Sequence, residues 1–185
     1  MSTQTPTTRS DGAAPAPILD AAVWQVDPAR SRVHFHTRAM FGLFPVLGRF
    51  ERFDGTLAID QEGRASGNLR IHAASIRTGI GKRDRHLQSE DFFHAAEHPH
   101  ATFELASLQP HEGGYEVSGT LRIRDKELPV RTQASVRREG EELVIGARFP
   151  VDHDAAGLGW AKPGMVRGTI DADVELTLQR AEAAA

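Results

Sequence analysis

The sequence predicts an all-β fold, an extended antiparallel β-barrel of about eight strands with one or two short helices between strands. The first observation is that apolar and polar residues alternate with a period of two along most of the chain, which is typical of strands with one buried face. The second is that short turns such as Glu112–Gly114 separate these segments, and such turns join antiparallel neighbours. A barrel is preferred over a sandwich because closure removes exposed sheet edges.

The first strands of the chain are the less regular ones. Val23–Val26 is predicted to be a short strand, and Ser31–Arg38 a longer one. Val46–Asp60 is expected to form a single strand, although its alternation slips by one residue between Phe50 and Phe53. A slip of this kind is typical of a β-bulge, in which one extra residue enters the strand.

The remaining strands alternate more cleanly, and their centres are often small. Their apolar positions span Leu69–Ala73, Phe103–Leu105, Tyr115–Ile123, Val130–Val136, Leu143–Val151 and Ile170–Leu178. The small apolar positions are Gly55, Ala73, Gly119, Ala134, Ala147 and Ala172. Two interpretations stay open. Small residues leave room for a ligand inside the barrel, or they alternate with large ones in an ordinary packed core.

Ser75–Phe103 interrupts the alternation with charged residues, histidines and the adjacent pair Phe92 and Phe93. Within this segment, Lys82–Glu90 contains no proline, glycine or β-branched residue, so it is predicted to form a helix. We expect Leu87 and the two phenylalanines to form a lid over an apolar cavity. The alternative is a surface helix that plugs one end of the barrel and keeps its charges in solvent.

An enzyme is the main alternative to a binding protein. Asp84, His86 and Asp91 are candidate acid–base groups for a hydrolase or isomerase that acts on an apolar ligand. However, the chain has no cysteine, and it contains no nucleophile elbow, phosphate-binding loop or dinucleotide fingerprint. We therefore expect no catalytic residues, no cofactor and no enzymatic activity.

A metal site is a third interpretation, based on the histidines of the same segment. The spacing of His94, His98 and His100 approaches that of a metal site. Pro99 breaks any helix through these residues, and His100 is expected to begin a strand. Because both features separate the side chains, the sequence predicts no metal site.

Composition bears on the partners, the location and the domain bounds of the protein. The chain has 185 residues and a net charge of -3 without a basic stripe, which disfavours nucleic-acid binding. It contains no apolar run of about 18 residues, so no membrane-spanning helix is expected. Residues 1–20 are rich in Thr, Ser, Pro and Ala and are expected to be a disordered tail. They lack the pattern of a signal peptide, which predicts a cytoplasmic protein. One domain is expected over residues 21–180, with a short tail at 181–185.

Several motifs together resemble one known family. They are Trp24–Pro28, Gly42–Val46, Arg83–Phe93, His98–Phe103 and Gly119–Arg124, and the most specific of them is the charged segment that ends in two phenylalanines. Over roughly residues 22–180, the sequence resembles the YceI-like family. One departure is local: Ala155 and Ala156 stand where family members often carry an aromatic residue.

The resemblance implies a lipocalin-like barrel that binds a long-chain polyisoprenoid lipid, such as an isoprenoid quinone or a prenyl phosphate, for transport or storage. It also allows a homodimer, and many members of the family are exported to the periplasm. The residues expected to contact the lipid are Phe41, Phe44, Phe50, Leu87, Phe92, Phe93 and Trp160. The candidates for contact with an anionic head group are Lys82, Arg83 and Arg85.

Overall fold

The computed structural model describes residues 19–39, 44–158 and 169–181. Within them the strands are β1 Ala22–Val26, β2 Arg32–Ala39, β3 Phe44–Phe50, β4 Phe53–Ile59, β5 Ala65–His72, β6 Ile76–Arg77, β7 His100–His111, β8 Gly114–Ile123, β9 Lys126–Glu139, β10 Glu142–Asp152 and β11 Thr169–Arg180. A 3₁₀ turn at Ala73–Ser75 precedes β6, and helix α1, Gly81–Gln88, lies between β6 and β7. In this part of the chain, no helix has the length and apolar character needed to cross a membrane.

The predicted antiparallel barrel is confirmed. The described strands pair in the order β1-β4-β5-β7-β8-β9-β10-β11, and β11 pairs back onto β1, which closes a ring of eight. Every pairing in this ring is antiparallel. The tight turns that the sequence marks with glycine join β4 to β5, β7 to β8 and β9 to β10.

One side of the barrel forks. Strands β1 and β2 lie one after the other along the same edge of β11, with Val26 opposite Leu178 and Arg32 opposite Glu175. Strand β4 continues the sheet from β1, whereas β3 pairs with β2 and β6 pairs with β3. Among the described residues, β6 therefore ends a branch of three strands, β2-β3-β6, that leaves the closed ring.

The prediction of one bulged strand over Val46–Asp60 is wrong. The chain leaves β3 at Phe50 and begins β4 at Phe53, so Glu51 and Arg52 belong to neither strand. The cause is Ser75, whose side chain is buried. Its carbonyl accepts the N–H of Glu51 at 3.2 Å, and its hydroxyl accepts the N–H of Arg52 at 3.1 Å. These bonds take the backbone groups out of the sheet ladder and redirect the strand.

One end of the barrel, here called the Trp24 end, is closed by packed side chains. Trp24 is 0% exposed, and Leu143 and Leu178 are each 2% exposed. The guanidinium carbons of Arg138 and Arg180 lie 5.8 and 5.3 Å from the Trp24 ring centre, an arrangement suited to cation–π attraction. The interior is therefore sealed from solvent at this end.

Gly119 on β8 is expected to tolerate no larger residue. A Cβ atom there would lie 2.3 Å from the carbonyl oxygen of Glu104 and 2.4 Å from the ring of Phe103 on β7. Because overpacking costs about 1–3 kcal/mol, Gly119→Ala is expected to lower the free energy of unfolding by that amount in urea denaturation. Gly146→Ala is the matched control, since its Cβ would meet only the hydroxyl of Ser135, which can rotate away. Equal losses in the two variants would contradict this account.

Candidate ligand-binding cavity

The interior of the barrel is not filled by side chains. It holds a cavity of about 330 Å³, which is within the usual range for small-molecule sites. The cavity extends from Val26 and Leu178 near the Trp24 end to Phe92 and Phe93 at the opposite end, here called the α1 end. Its wall is made almost entirely of aliphatic and aromatic side chains from all parts of the ring.

Burial along β11 shows where the packed core gives way to the cavity. Ile170, Ala172, Val174 and Leu176 alternate along the strand and line the cavity, yet each is only half-buried. Leu178, next in the series, is fully packed. An inward-facing apolar side chain that keeps accessible surface faces open space, so four successive inward positions of β11 border the cavity.

The small residues noted in the sequence have two different roles. Ala134, Ala147 and Ala172 line the cavity, so they leave room for a ligand. Gly55 instead serves close strand approach, because a Cβ there would lie 2.5 Å from the carbonyl oxygen of Asn68. Gly119 belongs with Gly55, for the same reason given above. Both interpretations of the small residues therefore hold, each for its own positions.

The α1 end is covered by residues 78–99, here called the cap. Helix α1 was predicted over Lys82–Glu90 and is observed over Gly81–Gln88. The expectation that its charges are solvated is wrong for Asp84, which is 8% exposed. The Asp84 carboxylate accepts the N–H of Thr78 at 2.8 Å and its hydroxyl at 2.5 Å. These two donors offset part of the cost of burying the carboxylate. They also fix α1 to the chain that follows β6.

Hydrogen bonds tie the cap to the barrel on both sides. The side-chain amide of Gln88 donates to the carbonyl of Ala74 at 3.0 Å. On the other side, the guanidinium of Arg124, in the turn between β8 and β9, donates to the carbonyl of Phe92 at 2.9 Å. The cap is therefore attached both to the 3₁₀ turn before β6 and to the turn between β8 and β9.

Four residues expected to contact a lipid lie together at the α1 end. Phe50, Leu87, Phe92 and Phe93 all line the cavity. The Phe50 and Phe93 rings meet edge to face, with centres 5.7 Å apart, a favourable aromatic geometry. Phe92 is buried in the main core cluster. These residues join the strand branch β2-β3-β6 to the cap through apolar contacts.

The other three lipid-contact candidates cannot be placed in the same way. Phe41 and Trp160 lie outside the described residues. Phe44 begins β3 opposite Ala39 of β2, and only its backbone position is described.

Three polar residues of the cavity lining lie at the α1 end. Arg83, His86 and His153 line the cavity there. The Arg83 guanidinium donates to the hydroxyl of Thr78 at 2.8 Å and to its carbonyl at 2.9 Å. Lys82 and Arg85, the other two predicted head-group residues, are exposed on α1 and do not line the cavity. Of the three basic candidates, Arg83 is the one at the cavity wall.

His153 was not among the residues expected to face a ligand, and a turn after β10 places it there. The Asp152 carboxylate accepts the N–H of Ala155 at 3.0 Å and of Asp154 at 2.9 Å. These two bonds, that of Ala155 foremost, hold the pKa of Asp152 below its usual value. The turn they stabilise points His153, which is 4% exposed, and Leu158 towards the cavity. The only sequence signal was an aspartate two residues before another polar residue, which is typical of many turns.

Comparison with known proteins decides the family. The model of the YceI-like domain matches residues 24–181. The chain belongs to the YceI-like family. Protein YceI of Escherichia coli is 29% identical over 131 residues, which cover 69% of this chain and 69% of that protein. The predicted membership is thus confirmed over nearly the whole barrel.

Two solved structures share this YceI-like barrel. The crystal structure of BcnA from Burkholderia cenocepacia has a TM-score of 0.75 and 25% identity, and the match covers 82% of this chain and 98% of BcnA. A polyisoprenoid binding domain from Saccharophagus degradans has a TM-score of 0.69 and 19% identity, with 86% and 99% covered. The second likeness is one of fold alone.

Proposed function

We propose that this chain binds a long-chain polyisoprenoid lipid, an isoprenoid quinone or a prenyl phosphate, and carries or stores it without chemical change. The observation that supports this most directly is the cavity itself, whose wall is almost entirely apolar and which has Arg83, His86 and His153 at the α1 end. A ligand that matches it has a long apolar body and one polar terminus. The polyisoprenoid binding named for the Saccharophagus degradans domain supports the same class.

Binding of such a ligand needs few specific contacts. Transfer of apolar surface out of water contributes about 25 cal/mol per Å², so a long hydrocarbon chain gains affinity along its length without hydrogen bonds. In the proposed orientation the tail points to the Trp24 end, and Phe50, Leu87, Phe92 and Phe93 pack around it near the cap. Phe41, Phe44 and Trp160 remain proposed contacts of the same lipid.

The polar head is proposed to lie beside Arg83. Its guanidinium is already oriented by Thr78, so it can offer a fixed positive charge to an anionic or carbonyl-bearing head. His86 and His153 border the same corner. Lys82 and Arg85 are proposed to add positive potential from the outer surface of α1. The cytoplasmic location and the homodimer stay predictions from the sequence.

A hydrolase or isomerase is less well supported. Asp84, one of the candidate acid–base groups, is engaged by both donors of Thr78 and does not line the cavity. His86 lines the cavity, and its Nδ1 lies 3.7 Å from the Asp91 carboxylate, but Asp91 is exposed and outside the cavity wall. Acid–base catalysis requires groups within reach of the reacting atoms, and two of the three candidates are not.

The direct test is to identify what the protein holds when it is purified from its own host. The protein is extracted with organic solvent, and the extract is analysed by mass spectrometry. A prenyl species at close to one per chain is the expected result. A clean protein that also fails to take up added prenyl quinone would refute the proposed function. A ligand recovered in altered form after incubation would instead indicate an enzyme.

Phe93→Ala is expected to weaken lipid retention several-fold while the barrel stays folded. The substitution removes the ring that packs on Phe50. It opens a gap where the cap forms part of the cavity wall. Retention is measured as bound lipid per chain after gel filtration, and folding by circular dichroism. Leu47→Ala is the matched control, because Leu47 is 69% exposed on the outer face of β3. Unchanged retention in Phe93→Ala would remove this residue from the proposed site.

A further inference from the structure

A short turn in the cap brings two imidazoles and a carboxylate together on the outside of the barrel. The N–H of Glu97 donates to the carbonyl of His94 at 3.0 Å, and the N–H of His98 donates to the same carbonyl at 2.8 Å. These bonds close a single turn that starts at His94, and the side chains of His94, Glu97 and His98 lie close together on it. We infer that His94, Glu97 and His98 form a binding site for a divalent transition metal ion of the zinc type.

The sequence argument against a metal does not apply to this trio. Pro99 was expected to separate the histidines, but the turn is complete at His98, one residue before the proline. The carbonyl of Pro99 then accepts the N–H of Ala73 at 2.9 Å, which anchors the end of the turn to the barrel. His100 is in β7 and takes no part. Glu97, which the sequence reasoning did not consider, supplies the third ligand.

The distances fit a metal site after small side-chain rotations. One ligand atom from each of the three residues lies within 4.8 Å of the others. The Nε2 atom of His94 is 3.8 Å from the Oε1 atom of Glu97, and the two imidazole centres are 5.8 Å apart. Ligand atoms each about 2.0–2.2 Å from one zinc ion lie at most about 4 Å apart. Side-chain rotation is expected to close the remaining gap.

The ligand types select the metal. Two histidine nitrogens with one glutamate oxygen form a common zinc donor set that leaves a coordination position open to water. Magnesium and calcium prefer shells made of oxygen alone, so they are poorly matched to this trio. The site is thus expected to favour zinc and similar borderline ions over the hard cations.

The backbone at His94 is an independent reason to regard this turn as specialised. Its φ angle is 48°, in the left-handed region that residues other than glycine seldom adopt. The surroundings hold it there, because its N–H donates to the carbonyl of Ser89 at 2.8 Å. Residues kept in such conformations cluster at functional positions, and here the residue is the first ligand of the trio.

A second group of titratable residues, Asp152, His153 and Asp154, also has ligand atoms close together. It fits a metal less well, because the Asp152 carboxylate is already used by two backbone N–H groups. The imidazole of His153 is buried towards the cavity. This group therefore serves as the internal control for the site at residues 94–98.

Zinc titration of the untagged full chain, stripped of metal with EDTA, tests the inference by isothermal calorimetry. The expected result is one zinc ion bound per chain, with no binding of magnesium. Glu97→Gln and His98→Ala are each expected to weaken binding by at least about 10-fold, since even the loss of an outer hydrogen-bond partner costs that much. Asp154→Asn is expected to bind zinc as the wild type does.

Thermal unfolding supplies a second readout, because an ion that binds only the folded chain raises its melting temperature. Zinc is expected to raise the melting temperature of the wild type but not that of His94→Asn, in which asparagine keeps the left-handed backbone. No zinc binding by the wild type, wild-type affinity in the three ligand variants, or loss of binding in Asp154→Asn alone would overturn the proposed site.

Discussion

Ala172→Trp is expected to abolish lipid retention while the barrel remains folded. Ala172 is the fourth residue of β11 and lines the cavity, between Phe35 of β2 and Phe149 of β10 in the register of the sheet. An indole at this position would extend into the space that the proposed lipid tail occupies. Because the cavity is open there, the larger side chain fills existing volume and does not overpack a core.

The measurement is the amount of prenyl lipid recovered per chain, together with the free energy of unfolding in urea. Retention is expected to fall from close to one lipid per chain to nearly none, with stability unchanged or slightly higher. Asp171→Trp is the matched control, because Asp171 is the exposed neighbour on the outer face of the same strand. Wild-type retention in Ala172→Trp would mean that the lipid binds outside the barrel.

Trp24→Ala is expected to cause the largest loss of stability, about 3–5 kcal/mol of unfolding free energy. Trp24 is 0% exposed and closes its end of the barrel beneath Arg138 and Arg180. Removal of the indole leaves a cavity and takes away the aromatic face under two guanidinium groups. Since a domain of this kind is stable by only about 5–15 kcal/mol, the loss would be a large share of the total.

Three variants, compared by urea denaturation, separate the contribution of aromatic packing from that of the indole N–H and from the effect of an exposed residue. They are Trp24→Ala, Trp24→Phe and Val23→Ala. Among the described residues, the indole Nε1 of Trp24 has no hydrogen-bond partner, so Trp24→Phe sacrifices no such bond and is expected to cost much less than alanine. Val23 is 51% exposed on the opposite face of β1, and its replacement is expected to change stability by about 0.5 kcal/mol or less. An equally small loss of unfolding free energy in Trp24→Ala would show that packing at the Trp24 end contributes little to stability.

The antiparallel barrel and the inward face of its strands could be predicted from the sequence, because alternation is a local signal. Ile170, Val174 and Leu176 were assigned to the inner face, and they line the cavity. The fork after Phe50 could not be predicted in this way. It depends on Ser75, which is distant in the sequence and takes the backbone groups of the two residues between the strands. Alternation alone records only a slip in phase, which a bulge explains equally well.

Residues of the candidate site could be predicted where their side-chain type alone marks them. Residues that a turn or a tertiary hydrogen bond brings to the cavity were missed. Leu87 and Phe93 are large apolar residues in a polar segment, and both line the cavity. The burial of Asp84 depends on Thr78, and the position of His153 depends on the turn that begins at Asp152. Tertiary contacts of this kind leave no periodic pattern in a sequence.

The fork also divides the sheet into two parts that differ in how many edges are hydrogen-bonded. The complete hydrogen-bonded ring runs through β1, β4, β5 and β7 to β11, whereas β2, β3 and β6 form a flap that shares only one edge with it. The ladder bonds between the flap and the ring lie along β2 and β11, so separation of this edge would leave every ladder bond of the ring in place. Local opening then has a lower free energy than global unfolding. We therefore expect amide hydrogen exchange to be faster in β2, β3 and β6 than in the strands of the ring.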